Sequence, residues 1–242
     1  MIIPKNPLIR WLAVGLIALG LPVRAADLTA YTENLPPLNY LSEGPPAGFT
    51  VELVQKLAQE SGLSIDIRLM PWLRAYQTAR QTPDSLLFTL VRLPEREAQF
   101  AWLGPIAKRR VALYRLASRN DIRVHALADA RRYRIGVVRE SAATRQMLAA
   151  GFRFEHELEA GNDDLMNMKK LRGGRIDLLL ALDASAHFNL RQLAGGSDEL
   201  VEVLVLDAQS DYYIGASTQM QPAKLRALRQ AFARLQQRYF AR

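Results

Sequence analysis

Two residue types that carry much enzymatic and metal chemistry are scarce in this chain: it has no cysteine, and its three histidines, His125, His156 and His187, stand about thirty residues apart. The first absence removes any thiolate nucleophile, disulfide or cysteine-ligated metal, and histidines so widely separated lack the paired spacing of a zinc site. No Gly-rich phosphate loop and no G-x-S-x-G turn occurs. What the chain does offer is positive charge, 32 Lys and Arg against 24 Asp and Glu, with arginine predominating. A planar guanidinium meets a carboxylate with two parallel hydrogen bonds, so the chemistry on offer is anion recognition. The basic residues are spread along the chain and mixed with acids, without the clustered stripe of a nucleic-acid binder. No nucleic acid, metal or cofactor is therefore expected. Ser141, at the start of a helix, could offer its hydroxyl and nearby backbone amides to an anionic group, or serve only as the helix cap.

The elements that must position these groups alternate between strand and helix, which argues an α/β fold. Residues 28–32 read as a first strand, followed by a loop through Pro36, Pro37, Pro45 and Pro46. Val51, Val54, Leu57 and Ala58 recur at helical spacing up to Gly62, a left-handed stop. Ile65, Ile67 and Leu69 alternate as a strand does; Pro71 then leads a helix with Trp72, Ala75, Tyr76 and Ala79, its ring suited to a first turn. Residues 85–90 form a third strand, broken by Leu93-Pro-Glu-Arg-Glu97, after which Phe100 and Trp102 lead to Gly104 and Pro105. Residues 111–116 alternate again. A second unit then opens: a strand at 133–138, a helix from Ser141 to Gly151, and a helix capped by Asn162 with Asp163 and Asp164 in its first turn, where negative charge suits the dipole. Gly173 and Gly174 end that helix before a buried strand at 176–182. Strands follow at 201–206 and 212–216, and an amphipathic helix from Pro222 closes the chain.

The N-terminus reads as an export signal. Lys5 and Arg10 precede the apolar run Trp11-Leu-Ala-Val-Gly-Leu-Ile-Ala-Leu-Gly-Leu21, and Val23 and Ala25 are the small residues of a cleavage site. The apolar run is about half of the roughly 20 residues that a bilayer span needs. Cleavage after Ala25 leaves 217 of 242 residues and, with Lys5, Arg10 and Arg24 gone, lowers the net charge from +8 to +5. A soluble periplasmic monomer is expected.

Several stretches together resemble the bacterial extracellular solute-binding proteins of family 3, the polar amino-acid type. They are Tyr31-Thr-Glu-Asn-Leu-Pro-Pro-Leu-Asn-Tyr40, Gly48-Phe-Thr-Val-Glu-Leu53, Leu93-Pro-Glu-Arg-Glu97 with Phe100 and Gly104-Pro105, Ile135-Gly-Val-Val-Arg139 and Gly174-Arg-Ile-Asp177. The likeness runs from about residue 28 to about 238. It implies a two-lobed periplasmic-binding-protein fold of type II, with the lobes joined by two crossing strands and the ligand in the cleft. Lobe one would take residues 26–112 and 207–242, and lobe two residues 113–206.

On that resemblance Arg96 stands where the family's carboxylate-binding arginine stands, and Thr89, near the end of the preceding strand, would donate its hydroxyl to the same ligand group. Arg92 would add a second positive charge to the cleft; its alternative is a solvated loop residue. Arg139 and Ser141 would face the ligand from lobe two, and Tyr31, Tyr40 and Trp72 would supply flat apolar walls with polar edges. Asp183, just past the lobe-two strand, lies near the family's partner for an α-amino group. Phe88, Val91 and Ala142 replace hydroxyl residues common in the family, so fewer donors reach the ligand. That leaves room for a less polar amino acid, an organic acid or a peptide-like molecule. The implied task is to close over a small polar ligand and deliver it to an importer of the ABC type; the alternatives are ligand sensing for a membrane receptor and, since some relatives are dehydratases, catalysis with Glu33 as a base.

Overall fold

The computed structural model of the chain describes residues 26–41, 44–194 and 196–239. The export segment expected over residues 1–25 lies outside the described residues. Two α/β lobes share the chain. The first begins with β1 (Leu28–Thr32), a small hairpin of β2 (Tyr40–Leu41) and β3 (Pro46–Ala47), and α1 (Phe49–Ser61). It continues through β4 (Ile65–Leu69), α2 (Trp72–Gln81), β5 (Ser85–Val91) and β6 (Phe100–Lys108). The second holds β7 (Val111–Leu116), β8 (Ile135–Val138), α3 (Ala142–Ala149), β9 (Leu158–Gly161), α4 (Asp164–Arg172), β10 (Leu178–Leu182), α5 (Asp183–Gln192) and β11 (Leu200–Asp207). The chain then returns to the first lobe for β12 (Asp211–Ser217) and α6 (Pro222–Tyr239).

Each lobe is built on a five-stranded mixed sheet, ordered β4-β1-β5-β12-β6 in the first and β11-β7-β10-β8-β9 in the second. In the first, β1 lies parallel to β4 and β5 while β12 runs antiparallel to β5 and β6. The second mirrors this, with β10, β8 and β9 parallel and β7 and β11 antiparallel. β5 and β10 are buried along their whole length, as strands covered on both faces are, and β10 is an unbroken apolar run.

Local chemistry fixes the pieces that carry the cleft. Gly48 stands at φ +116 just before α1, where a Cβ would strike the Leu38 and Pro37 carbonyl oxygens. Only glycine lets the 35–39 loop close on the helix, and Thr50 N then donates to Leu38 O at 2.9 Å. The helix buries Val51, Leu53, Val54 and Leu57 and stops at Gly62, which is left-handed at φ +70. Each such side chain, once buried, contributes about 1.5–3 kcal/mol.

The chain leaves the first sheet through Arg109 and Arg110 and comes back through residues 208–210. Arg109, 4% exposed, pairs with Asp207, and its backbone N–H donates to Ser210 O at 3.1 Å. The outgoing and returning crossings are thus stapled to each other.

Several sequence expectations shift. The segment expected as a break is a 3-10 helix, Pro94–Gln99, and the stretch after it is a nine-residue strand, β6; pairing with β12 overrides the Gly104-Pro105 punctuation. Pro71 is the cap before α2, not its first residue. Asp163, not Asn162, caps α4, because its carboxylate accepts from Met166 N at 2.7 Å. The strands expected from 133 and 176 begin at Ile135 and Leu178. Neither β9 nor α5 was marked by the sequence pattern. Among the described residues no helix is long and apolar enough to cross a membrane.

Candidate functional site

A narrow cavity of about 60 Å³ lies where the two sheets face each other. Arg96, from the 3-10 helix after β5, reaches it with only 1% of its surface exposed. It donates to two backbone carbonyls, Val91 O at 3.3 Å and, across the cleft, Glu140 O at 3.0 Å, and also lies within hydrogen-bonding reach of Tyr76. Nε has no partner. The guanidinium carbon sits 5.3 Å from the Trp72 ring centroid and 5.1 Å from that of Tyr76, a cation–π setting. Burial depresses the Arg96 pKa, opposed by the nearby Tyr76. A buried guanidinium with a spare donor has the charge and geometry that suit an anion.

Trp72, at the start of α2, lines the same cavity, 3% exposed, and its indole Nε1 has no partner. Thr89 also lines it, from a bulge in β5 where the register against β12 slips. Its φ of +60 is unusual for a β-branched residue. The Thr89 hydroxyl donates to Asn39 Oδ1 at 2.6 Å, so its proton is spent within the first lobe. Ser141 reaches the cavity from the second lobe and caps α3, its Oγ accepting from Thr144 N at 3.1 Å.

The other five expected residues lie elsewhere. Arg92 pairs with Glu97 and lies over the Trp102 and Tyr213 rings at 5.6 and 6.0 Å. Tyr31 is buried in the aromatic cluster behind Trp72. Tyr40 packs on Phe188 of the second lobe, with ring centroids 5.3 Å apart. Arg139 lies over Phe154 at 4.6 Å and borders a separate crevice with Arg80, Glu95 and Arg145. Asp183 accepts the Tyr114 hydroxyl at 2.7 Å and lies 3.5 Å from Arg110 and 3.7 Å from His187, outside the cavity.

The cavity also holds groups that sequence reasoning did not gather: Asp164, Arg109 and Tyr212, together with Glu33, which had entered only as a possible base. Burial pushes the Glu33 carboxyl up to about 8, reinforced by the charges of Asp164 and Asp163 and opposed by Arg96 and Arg109. Burial likewise lifts Asp164 to about 7, against a hydrogen bond from Ser185. Tyr212 is raised by burial. One signal was available for Asp164: two successive acids open α4, and a helix needs only one of them as its cap. Among the described residues no group of three or more His, Cys, Asp or Glu is placed to hold a metal ion.

The family model for bacterial extracellular solute-binding proteins, family 3, matches residues 28–240. A search of curated proteins returns no match. Among solved structures, a histidine kinase sensor domain with similarity to periplasmic binding proteins is similar at TM-score 0.77 and 18% identity, over 88% of this chain and 91% of that one. An ancestral arginine-binding protein bound to arginine is similar at TM-score 0.75 and 16% identity, over 87% and 93%. The arginine-, lysine-, histidine-binding protein ArtJ from Geobacillus stearothermophilus is similar at TM-score 0.73 and 14% identity, over 88% and 90%. At these identities the likeness is one of fold.

Proposed function

The chain belongs to the bacterial extracellular solute-binding proteins, family 3, and from that membership we propose that it closes its two lobes over a small polar carboxylate outside the cytoplasm. The observation that carries this reading is Arg96: a buried guanidinium on an inter-lobe cavity, held by backbone carbonyls and with Nε free. A ligand carboxylate would take its place opposite Arg96, with Trp72 as a wall and the start of α3, capped by Ser141, on the other side. Hydrogen bonds to charged groups are worth roughly 1.5–3 kcal/mol each, against about 8 kcal/mol for a micromolar complex, so contacts from both lobes are needed. A ligand that gains contacts only when the lobes meet shifts the population toward the closed form. The small size of the cavity, about 60 Å³, supports entry of such a solute by parting of the lobes.

The lobe limits of 26–112 with 207–242 and 113–206 are part of this proposal. The crossings at Arg109–Arg110 and 208–210 support a division within a few residues of them. Delivery to a permease of the ABC type is the task proposed for the closed form, with export by the N-terminal segment. The sensor-domain neighbour favours a second reading, in which a membrane receptor reads the same closure.

The test is a thermal-shift screen of the protein against amino acids and organic acids, since a ligand that binds only the native state raises its melting midpoint. A carboxylate hit that Arg96→Ala abolishes supports the proposal. An unchanged shift in that variant, or steady turnover of the ligand, overturns it.

A further inference from the structure

A second hollow, of about 370 Å³ against about 60 Å³ for the central cavity, is also lined by both lobes. From the first lobe α2 brings Arg80 to it and the 3-10 helix Pro94–Gln99 brings Glu95; from the second, Arg139 and Glu140 follow β8, and Arg145 comes from α3. We propose that this crevice is a second binding site, for a small dianion that bridges Arg80 and Arg139 and thereby favours the closed form. The effect on closure, though not the site itself, rests on the two-lobed closing motion proposed above.

Two of the three guanidiniums here are uncompensated. Glu95 and Glu140, the acids that border the crevice, both turn to Arg145, at 3.5 and 2.5 Å. Among the described residues Arg80 and Arg139 have no carboxylate partner. Each lies instead over an aromatic ring of its own lobe, Tyr76 at 5.4 Å and Phe154 at 4.6 Å. Such a contact steadies a guanidinium without using its hydrogen-bond donors. Both residues are exposed, so a solute can reach them. Arg145 adds a spare donor, since its Nε is buried and has no hydrogen-bond partner.

Two further observations separate this cluster from an ordinary solvated face. Its arginines come from opposite lobes and line one hollow, whose volume falls in the range of roughly 300–1,000 Å³ usual for small-molecule sites. The charge of Arg145 also presses on Arg96 of the facing lobe, lowering the Arg96 pKa more than Glu95 raises it. Bringing the lobes together therefore sets like charges against each other, and an anion held beside Arg145 relieves that repulsion. An anion that needs both lobes binds the closed form, so it and the cleft ligand must each tighten the other by the same factor.

The probes are succinate, with a carboxylate at each end, and inorganic phosphate, each titrated calorimetrically at pH 7.5 with ionic strength held constant by sodium chloride. Binding should fall at least about tenfold in Arg80→Gln and in Arg139→Gln, as the loss of a charged hydrogen bond implies, and persist in Arg96→Ala. A response to succinate alone assigns the site to a two-ended dicarboxylate, and a response to phosphate alone to a compact anion. The bound probe should lower the radius of gyration in small-angle scattering in the parent and in neither arginine variant. At saturation it should tighten a carboxylate hit from the thermal-shift screen by at least about fivefold. Binding of neither probe overturns the site. Binding that ignores Arg80→Gln and Arg139→Gln but is lost in Arg96→Ala also overturns it, placing the anion in the central cavity. Binding through both arginines without compaction overturns the bridge between lobes. A screen without hits counts against the Arg96 reading alone, because titration and scattering with the probes need no ligand in the central cavity.

Discussion

Arg96 and Glu140 meet across the cleft: Nη2 of the guanidinium donates to the Glu140 carbonyl at 3.0 Å, and Glu140 holds a left-handed backbone at φ +61. That conformation costs a non-glycine residue on the order of 1–3 kcal/mol and persists where surrounding contacts enforce it. Thr89 holds the same kind of backbone at φ +60 in the facing lobe. Each lobe thus carries a strained residue beside the cleft, Thr89 lining the cavity and Glu140 bordering a separate crevice, and Arg96 ties the Glu140 carbonyl to the first lobe.

Replacing Arg96 by lysine should weaken a carboxylate ligand by at least about tenfold, because a point-like ammonium cannot form the planar pair of hydrogen bonds. Calorimetric titration checks this. A change under twofold would show that the guanidinium plane is not used.

Arg145 also bridges the lobes: it pairs with Glu95 of the first lobe at 3.5 Å and with Glu140 in its own lobe at 2.5 Å. The Glu95 pair is partly exposed, so it contributes less than about 1 kcal/mol. Glu95→Gln should weaken apparent ligand affinity no more than about fivefold and increase the radius of gyration in small-angle scattering. High salt should produce the same change in the parent protein and little further change in the variant.

Asp207 sits where the chain returns to the first lobe. Burial alone would raise its pKa, but hydrogen bonds from Ser210 and Gln209 and the Arg109 charge hold it below the usual carboxylate range. A depressed folded pKa contributes stability above the unfolded value of about 4, lost as pH falls through the folded one. Asp207→Asn keeps the acceptor for Gln209 N and Ser210 N but strands the Arg109 charge, and should cost about 3 kcal/mol at neutral pH. Chemical denaturation at pH 7 and pH 3 should show that penalty shrinking at the lower pH.

Glu33 and Asp164 act with the opposite sign. Their folded pKa values, about 8 and about 7, stand above the ordinary carboxylate value, so the folded state binds more protons than the unfolded one. Stability from these groups is therefore greatest near pH 4 and declines as pH rises toward 8. Glu33→Gln should leave the melting midpoint unchanged near pH 4 and raise it at pH 8.5, where the parent must carry a half-buried charge beside Asp164 and Asp163. A midpoint that is lower than the parent's at pH 8.5 would contradict this.

The alternation of strands and helices was legible because it rests on local periodicity and on glycine and proline stops: β1, α1, β4, β5 and β7 stand close to where the pattern puts them. β6 was hidden, since its order comes from β12, more than a hundred residues later in the chain. The same divide runs through the site. Arg96, Trp72, Thr89 and Ser141 follow from landmarks within short stretches, whereas Arg92 and Asp183 find partners, Glu97 and Tyr114, that leave them outside the cavity. Asp164 read as a charge suited to a helix dipole, because only the placement of α4 on β8 and β10 turns it toward Glu33.

β12 lies between β5 and β6 in the first sheet, although it follows the whole of the second lobe in the chain. On a ribosome, or threaded N-terminus first through a pore, the second lobe is contiguous and can complete itself while the earlier-made lobe still lacks an inner strand. Its partner must then wait with two strand edges open, a long-range closure that is intrinsically slow and leaves sticky edges exposed. The order of manufacture and the order of assembly are thus reversed by one inserted strand.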